Sequence, residues 1–179
     1  MANSEIQVIL VDEKDQQIGL LEKMKAHELG VLHRAFSIFL FNDEGQMLIH
    51  RRADDKYHSG GLWTNACCSH PFENEKIENA AHRRLKEELG IESELTKAFD
   101  FIYKAKLENG LEEHEYDHVL LGNHNGPVYP DLSEVAEWKF ADLAWIDQRT
   151  TQSPHEFTPW FIIALPKVLS FLKSKQLQQ

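Results

Sequence analysis

Cysteine is scarce in this chain: of 179 residues only Cys67 and Cys68 are cysteines, and they are adjacent. A bridge between neighbours in sequence strains the geometry a disulfide prefers, which disfavours a disulfide and fits a reducing compartment. Long hydrophobic runs are missing as well. The run "FIIAL" near the C-terminus falls far short of the roughly 20 residues a membrane-spanning helix requires. The opening "MANSEIQVIL" has no basic stretch leading into an apolar one, so the chain is expected to stay in the cytoplasm. Positive charge is in deficit: 19 Lys and Arg against 29 Asp and Glu leave a net charge of −10. That balance argues against nucleic-acid or membrane-surface partners and makes any local basic cluster informative. There is no repeat or low-complexity tract, and the length suits a single domain, 1–179.

What the chain does contain is patterned. "IQVILVD" (6–12) is β-branched and apolar, predicting a strand, and "EKDQQIG" (13–19) reads as a polar turn. "RAFSIFLFNDEGQMLIHRR" (34–52) gives two apolar runs joined by "NDEG", which suits a hairpin. From about Glu75 to Leu89 the period changes. Ile77, Ala81, Leu85 and Leu89 recur every four residues and Gly90 follows as a C-cap, predicting a helix. "AFDFIYKAKL" (98–107) and "EHEYDHVLLGNH" (113–124) read as a strand pair around "ENGLE". "DLSEVAEWKFADLAWIDQ" (131–148) and "TPWFIIALPKVLSFLKSK" (158–175) look helical in part. In the latter, Thr158 suits the N-cap, Pro159 the first helical position, and Pro166 should kink or restart the helix. Strands, a helix, strands and then C-terminal helices predict an α+β sandwich.

Several stretches offer chemistry, each with a plainer competing account. In "AAHRRLKEELGI" (80–91), Arg83 and Arg84 precede Glu87 and Glu88 by four residues, as on any solvated helix laced with ion pairs. Among the 10 histidines, His27 and His33 sit six apart, His70 follows the cysteines, and "EEHEYDH" (112–118) gathers acids and imidazoles. On a strand, Glu113, Glu115 and Asp117 share one face and His114, Tyr116 and His118 the other. Such carboxylates, joined by imidazoles from other segments, suit Mg²⁺, Mn²⁺ or Zn²⁺; a polar edge strand is the alternative. "HRRADDKYHSGG" (50–61) sets Arg51, Arg52 and Lys56 beside Gly60 and Gly61, either a phosphate clamp or a solvated loop. For "WTNACCSHP" (63–71), a metal site, a nucleophile and two buried thiols all remain open.

Glu75, Arg83, Glu87, Glu88 and Gly90 resemble the Nudix box, Gly-x5-Glu-x7-Arg-Glu-apolar-x-Glu-Glu-x-Gly-apolar, whose helix carboxylates bind the divalent cation of a diphosphate substrate. Ser69 stands at the first Gly, and Arg84 replaces the Glu after the Arg. A hydrolase would lose a ligand or base there, whereas arginine can pair with phosphate bidentately. Taken with "EKMKAHELGVLHRAFSIFLFN", "TNACCSHP", "EEHEYDHV" and "FTPWF", the chain from about residue 22 to 161 is similar to the type 1 isopentenyl-diphosphate Δ-isomerase family.

The resemblance implies a Nudix-like mixed β-sheet sandwiched by helices, with an N-terminal extension and C-terminal helices. It implies interconversion of isopentenyl and dimethylallyl diphosphate, with Cys68, Glu115 and Tyr103 catalytic. Cys67 would occupy a position that tolerates an aliphatic residue. It further implies a metal site of His27, His33, His70, Glu113 and Glu115, and Glu88 on a diphosphate-bound Mg²⁺. Arg52, Lys56 and Arg84 would contact the diphosphate, with Trp160 an aromatic wall. The partner expected is a small diphosphate, for a monomer or homodimer. A Nudix diphosphohydrolase and a non-catalytic metal- or nucleotide-binding module are the rival readings, and neither requires Cys68, Glu115 and Tyr103 together.

Overall fold

The computed structural model describes residues 6–177. The chain runs β1 (Gln7–Val11), β2 (Gln17–Glu22), α1 (Lys23–Leu29), β3 (His33–Phe41), β4 (Met47–Arg52), β5 (Trp63–Thr64), β6 (Cys67–Ser69), α2 (Ile77–Leu89), β7 (Leu95–Lys106), β8 (Glu112–Asn123), β9 (Val135–Ala141), α3 (Leu143–Gln152) and α4 (Pro159–Gln176). All the strands join one mixed sheet organised around β3. That strand pairs antiparallel with β1, β4 and β6 and parallel with β8. The long β7–β8 hairpin extends one side, and β9 adds to β4 on the other.

Successive residues of β3 face opposite sides, and both sides are covered. Phe36, Ile38 and Leu40 pack with Ala81, Leu85 and Leu89 of α2, while Phe39 and Phe41 pack with Phe161, Leu165 and Val168 of α4. A strand buried on both faces reads as a continuous apolar run, which is why "FSIFLF" shows no alternation. The expected α+β sandwich, a mixed sheet between helices, is therefore what forms.

Some local expectations need correction. Only the start of "EKDQQIG" is a turn: the Asp12 carboxylate accepts from the Lys14 and Gln16 N–H groups, and β2 begins at Gln17. Of the stretch expected to be helical in part, "LAWIDQ" does enter α3, whereas "VAEWKFA" is β9, because pairing with β4 supplies the partner that its own short pattern does not advertise. Pro166 does not restart the C-terminal helix, which runs unbroken from Pro159 to Gln176; packing of its apolar side onto the sheet outweighs one missing backbone bond. Thr158 sits at the N-cap position, but its hydroxyl donates to Thr64 instead of capping. The predicted helix at Glu75 begins at Ile77, since Glu75 is engaged by the Phe72 N–H and by Arg83.

Candidate active site

α1 lacks apolar periodicity and is built by its ends. The two carboxylate oxygens of Glu22 accept from the Met24 and Lys25 N–H groups, each at 2.8 Å. Gly30 closes the helix at φ +60°, where a Cβ would collide with the Glu112 side chain. Lys23 and His27, four residues apart, share a face of this helix. His27 is fully buried, its Nε2 3.0 Å from Glu113 Oε2.

His33 opens β3. Its Nδ1 must donate to the Val31 carbonyl, 2.9 Å away, because a carbonyl only accepts. The lone pair is thereby left on Nε2, which is buried without a hydrogen-bond partner among the described residues and lies 3.8 Å from Glu113 Oε2 and 3.6 Å from Glu115 Oε1. His70, just past β6, brings its Nε2 to 3.0 Å from Glu115 Oε1. The ligand atoms of His27, His33, His70 and Glu113 all lie within 4.8 Å of one another. Three convergent imidazoles and a carboxylate, one lone pair orphaned and its tautomer fixed from behind, fit a divalent cation with a mixed N/O sphere.

The strand alternation separates the two cysteines. Cys67 points into the α2-side core and is fully buried, whereas Cys68 points to the α4 side. Ser37, its partner across the β3–β6 register, brings its Oγ to 3.4 Å from Cys68 Sγ and donates to Asp117 Oδ2 at 2.7 Å. Asn65 Oδ1 accepts from the thiol at 3.2 Å. Burial, reinforced by the charge of Asp117, pushes the Cys68 thiol well above its ordinary range against the pull of Ser37 and Asn65. Cys68 is thus a neutral S–H, a proton donor.

Glu113, Glu115 and Asp117 share the inward face of β8, as the alternation predicts. Their environments differ. Burial works against ionising Glu115, but the approach of His33 at 3.6 Å and the hydrogen bond from the Tyr103 hydroxyl outweigh it and hold the carboxyl below its usual range. His33 mirrors this: burial opposes its charge, yet Glu115 leaves it raised. At Asp117, burial and the neighbouring Glu115 charge outweigh the hydrogen bond from Ser37 and drive the pKa well up. One face therefore carries a carboxyl at Glu115 whose ionised form is favoured beside groups at Asp117 and Cys68 whose protonated forms are favoured, a division of labour suited to moving protons.

The basic groups expected at the diphosphate all make contacts within the protein. Arg52 donates to the Ser59 and His58 carbonyls at 3.2 and 3.3 Å, Lys56 pairs with Glu134 at 2.7 Å, and Arg84 spans Glu87 and Glu88 with its Nε buried and, among the described residues, unpartnered. Glu88 stands apart from the imidazole group, and burial, partly offset by Arg84, raises its pKa. Trp160 is buried, its Nε1 donating to Thr64 Oγ1 at 3.0 Å and its ring 5.2 Å from the Arg52 guanidinium.

The sequence pattern assigns no role to Lys23, His58, Thr64 or Asn65, and places Asp117 only on the carboxylate face of β8. Burial lowers the Lys23 pKa despite the Glu113 and Glu115 charges, and its Nζ lies 5.7 Å from the Tyr57 ring centre. His58 Nε2 is 3.7 Å from Glu113 Oε1, and its ring meets Trp160 edge-on at 5.6 Å. Burial, with Arg52 adding to it and Glu113 opposing, brings His58 down to about 3, so the imidazole is neutral. The i, i+4 spacing of Lys23 to His27 was the signal available for the lysine; loop residues such as His58 carry none.

Comparison with known proteins gives the family and the fold. The NUDIX domain family model matches residues 31–161. "Isopentenyl-diphosphate Delta-isomerase 2" of Aromatoleum aromaticum is 48% identical over 166 residues, covering 93% of this chain and 88% of that protein. The isopentenyl-diphosphate Delta-isomerase of Burkholderia multivorans is 47% identical over 157 residues, covering 88% and 89%. Among solved structures, DR0079 from Deinococcus radiodurans superposes with a TM-score of 0.76 at 16% identity over 90% of this chain and 98% of that one, a likeness of fold. With close to half of its residues shared along most of its length, the chain belongs to the Nudix family and, within it, to the isopentenyl-diphosphate Delta-isomerases.

Proposed function

We propose that this protein interconverts isopentenyl diphosphate and dimethylallyl diphosphate by a 1,3-allylic proton shift. The observation that carries the reading is the pairing of a neutral thiol, Cys68, with an ionised, tyrosine-anchored carboxylate, Glu115, on strands that flank β3 beside the imidazole cluster. Protonating one end of an allylic unit and deprotonating the other requires two such groups, and each typically contributes about 10²- to 10⁴-fold. His27, His33, His70, Glu113 and Glu115 would hold a Mg²⁺, Mn²⁺ or Zn²⁺ ion. When bound, that ion alters the acidity of the Glu115 carboxyl through its own charge.

Arg52, Lys56 and Arg84, joined by Lys23, bind the diphosphate, with Glu88 offered to a Mg²⁺ that accompanies it. Trp160 walls the allylic end, where its indole face stabilises developing positive charge by about 2 kcal/mol when desolvated. Enclosure matters because water would trap a tertiary carbocation. Arg84 and Ser69 depart from the hydrolase box, which weighs against diphosphate cleavage as the reaction. Incubating the purified protein with isopentenyl diphosphate and a divalent cation is expected to yield dimethylallyl diphosphate without phosphate release. Phosphate without the isomer would overturn the reading.

A further inference from the structure

Behind the site runs a hydrogen-bond chain in which every direction is fixed. Trp160 Nε1 is a donor only, and it gives its proton to Thr64 Oγ1 at 3.0 Å. Thr158 Oγ1 donates to the same oxygen at 3.0 Å. Both lone pairs of the Thr64 hydroxyl are thereby filled, and its own proton goes to Asn65 Oδ1 at 3.1 Å. The Asn65 amide cannot be turned round, because its Nδ2 donates to the Ile38 and Cys67 carbonyls at 2.9 and 3.1 Å. Its Oδ1 therefore faces Cys68, whose thiol donates to it at 3.2 Å. Thr64 is 2% exposed, and Asn65 and Thr158 are fully buried, so water does not substitute for any link.

We propose that Thr64 is a positioning residue for the isomerisation, holding the Trp160 indole and the Cys68 thiol in one chain so that the two walls of the site keep a fixed relation. The inference rests on the roles given above to Cys68 and Trp160. Its logic is geometric. α4 and β6 arrive from distant parts of the sequence, and the backbone bond from the Thr158 N–H to the Trp63 carbonyl at 2.9 Å docks the start of the helix but does not set the rotation of the indole two residues on. The Thr64 hydroxyl is the one hydrogen-bond acceptor of the indole among the described residues, and through Asn65 it ties that ring to the thiol. Loss of a link of this kind misplaces a reacting group rather than removing one, so it lowers kcat more than it alters KM.

Thr64→Val, Thr64→Ser and Thr158→Val test this. Thr64→Val is expected to lower kcat roughly 10- to 100-fold with KM nearly unchanged, on the scale of a misplacement of about 1 Å. Thr64→Ser keeps the hydroxyl and is expected to restore most of the rate. Thr158→Val removes a buried hydroxyl that lies off the path from indole to thiol, and is expected to stay near wild type. Equal losses in Thr64→Val and Thr158→Val, an effect confined to KM, or wild-type turnover in Thr64→Val would each overturn the proposal. Should Thr64→Val not fold, the indole ¹⁵N–¹H resonance of Trp160, assigned through its absence in Trp160→Phe, gives a second reading. Cys68→Ala is expected to shift that resonance and Cys67→Ala to leave it in place; a resonance unmoved by Cys68→Ala would sink the chain. Full turnover in Cys68→Ala would instead refute the acid–base assignment, which keeps the two failures apart.

Discussion

Tyr103 and Glu115 face each other directly across the β7–β8 register, and the tyrosine hydroxyl donates to Glu115 Oε2 at 2.6 Å. The other oxygen, Oε1, is the one approached by His70 and His33. The carboxylate is thus divided: one oxygen is tied to the hairpin that carries it, the other is left to the imidazole group. A slip of one residue in the hairpin would turn Glu113, Glu115 and Asp117 to the opposite face together.

Tyr103→Phe removes the tie and leaves the ring in the core. Because the hydroxyl acts on a group already in the site, its loss is expected to reduce kcat by roughly 10- to 100-fold, the usual effect of deleting an outer hydrogen bond to a ligand. Steady-state kinetics with isopentenyl diphosphate check this, with circular dichroism to show an unchanged fold. A rate within two-fold of wild type, roughly the scatter among measured effects, would show that the bond only fastens the strands.

Treatment with a chelator followed by desalting is expected to abolish isomer formation, and added Mg²⁺ or Mn²⁺ to restore it. The unfolding temperature should move with activity, since an ion bound only by the folded chain adds about 2.7 kcal/mol at a hundredfold excess over its Kd. His33→Ala, which removes the orphaned Nε2, should blunt that stabilisation. Elemental analysis finding no bound metal, together with an unfolding temperature indifferent to chelator, would show that the cluster holds none.

Arg84 replaces a box carboxylate, and its buried Nε has no partner among the described residues while its terminal nitrogens hold Glu87 and Glu88. Arg84→Gln is expected to raise KM for the diphosphate by about 10- to 100-fold, the worth of a hydrogen bond to a charged group. The loss should show in KM more than in kcat, and an unchanged KM would remove Arg84 from the binding site.

Much of this site could be read from the sequence where one element carries its own pattern. The alternation of β8 placed Glu113, Glu115 and Asp117 on one face, and the period and Gly90 cap of α2 located the helix that holds Arg84 and Glu88. The cysteine pair was readable through family resemblance, and the short β6 strand supplies the reason: neighbours on a strand face opposite sides. Other parts left no local trace. α1 is seven residues stabilised by Glu22 and Gly30, too short to show periodicity. β9 owes its conformation to β4, a partner some 90 positions away. Thr158 looked like a cap because its position and type suit one, but a buried acceptor on β5 competes for its hydroxyl. Likewise, the four-residue spacing announces the pairs Arg83–Glu87 and Arg84–Glu88, and both form, but it gives no sign that Arg83 also turns its Nε and Nη2 to Glu75 across the loop before α2, each at 2.8 Å.

That last pair gives a pH-dependent expectation. Arg83 grips both oxygens of Glu75 and stacks 4.0 Å from the Phe72 ring centre, and Glu75 also accepts from the Phe72 N–H. The Arg83 hydrogen bond, outweighing some burial, holds the Glu75 carboxyl below its ordinary 4.5. A carboxyl depressed in the folded state stabilises the protein above its unfolded pKa, and that contribution fades as pH falls through the folded value. Glu75→Gln keeps an acceptor but not the charge. It is expected to cost about 1 kcal/mol or less at neutral pH, as befits a pair partly open to solvent. The gap between the wild-type and variant unfolding curves should be constant above about pH 4.5 and close on further acidification, when both side chains are neutral. A gap that stays fixed through acid pH would mean that Glu75 acts by shape alone, closing the loop from His70 to α2 whatever its charge.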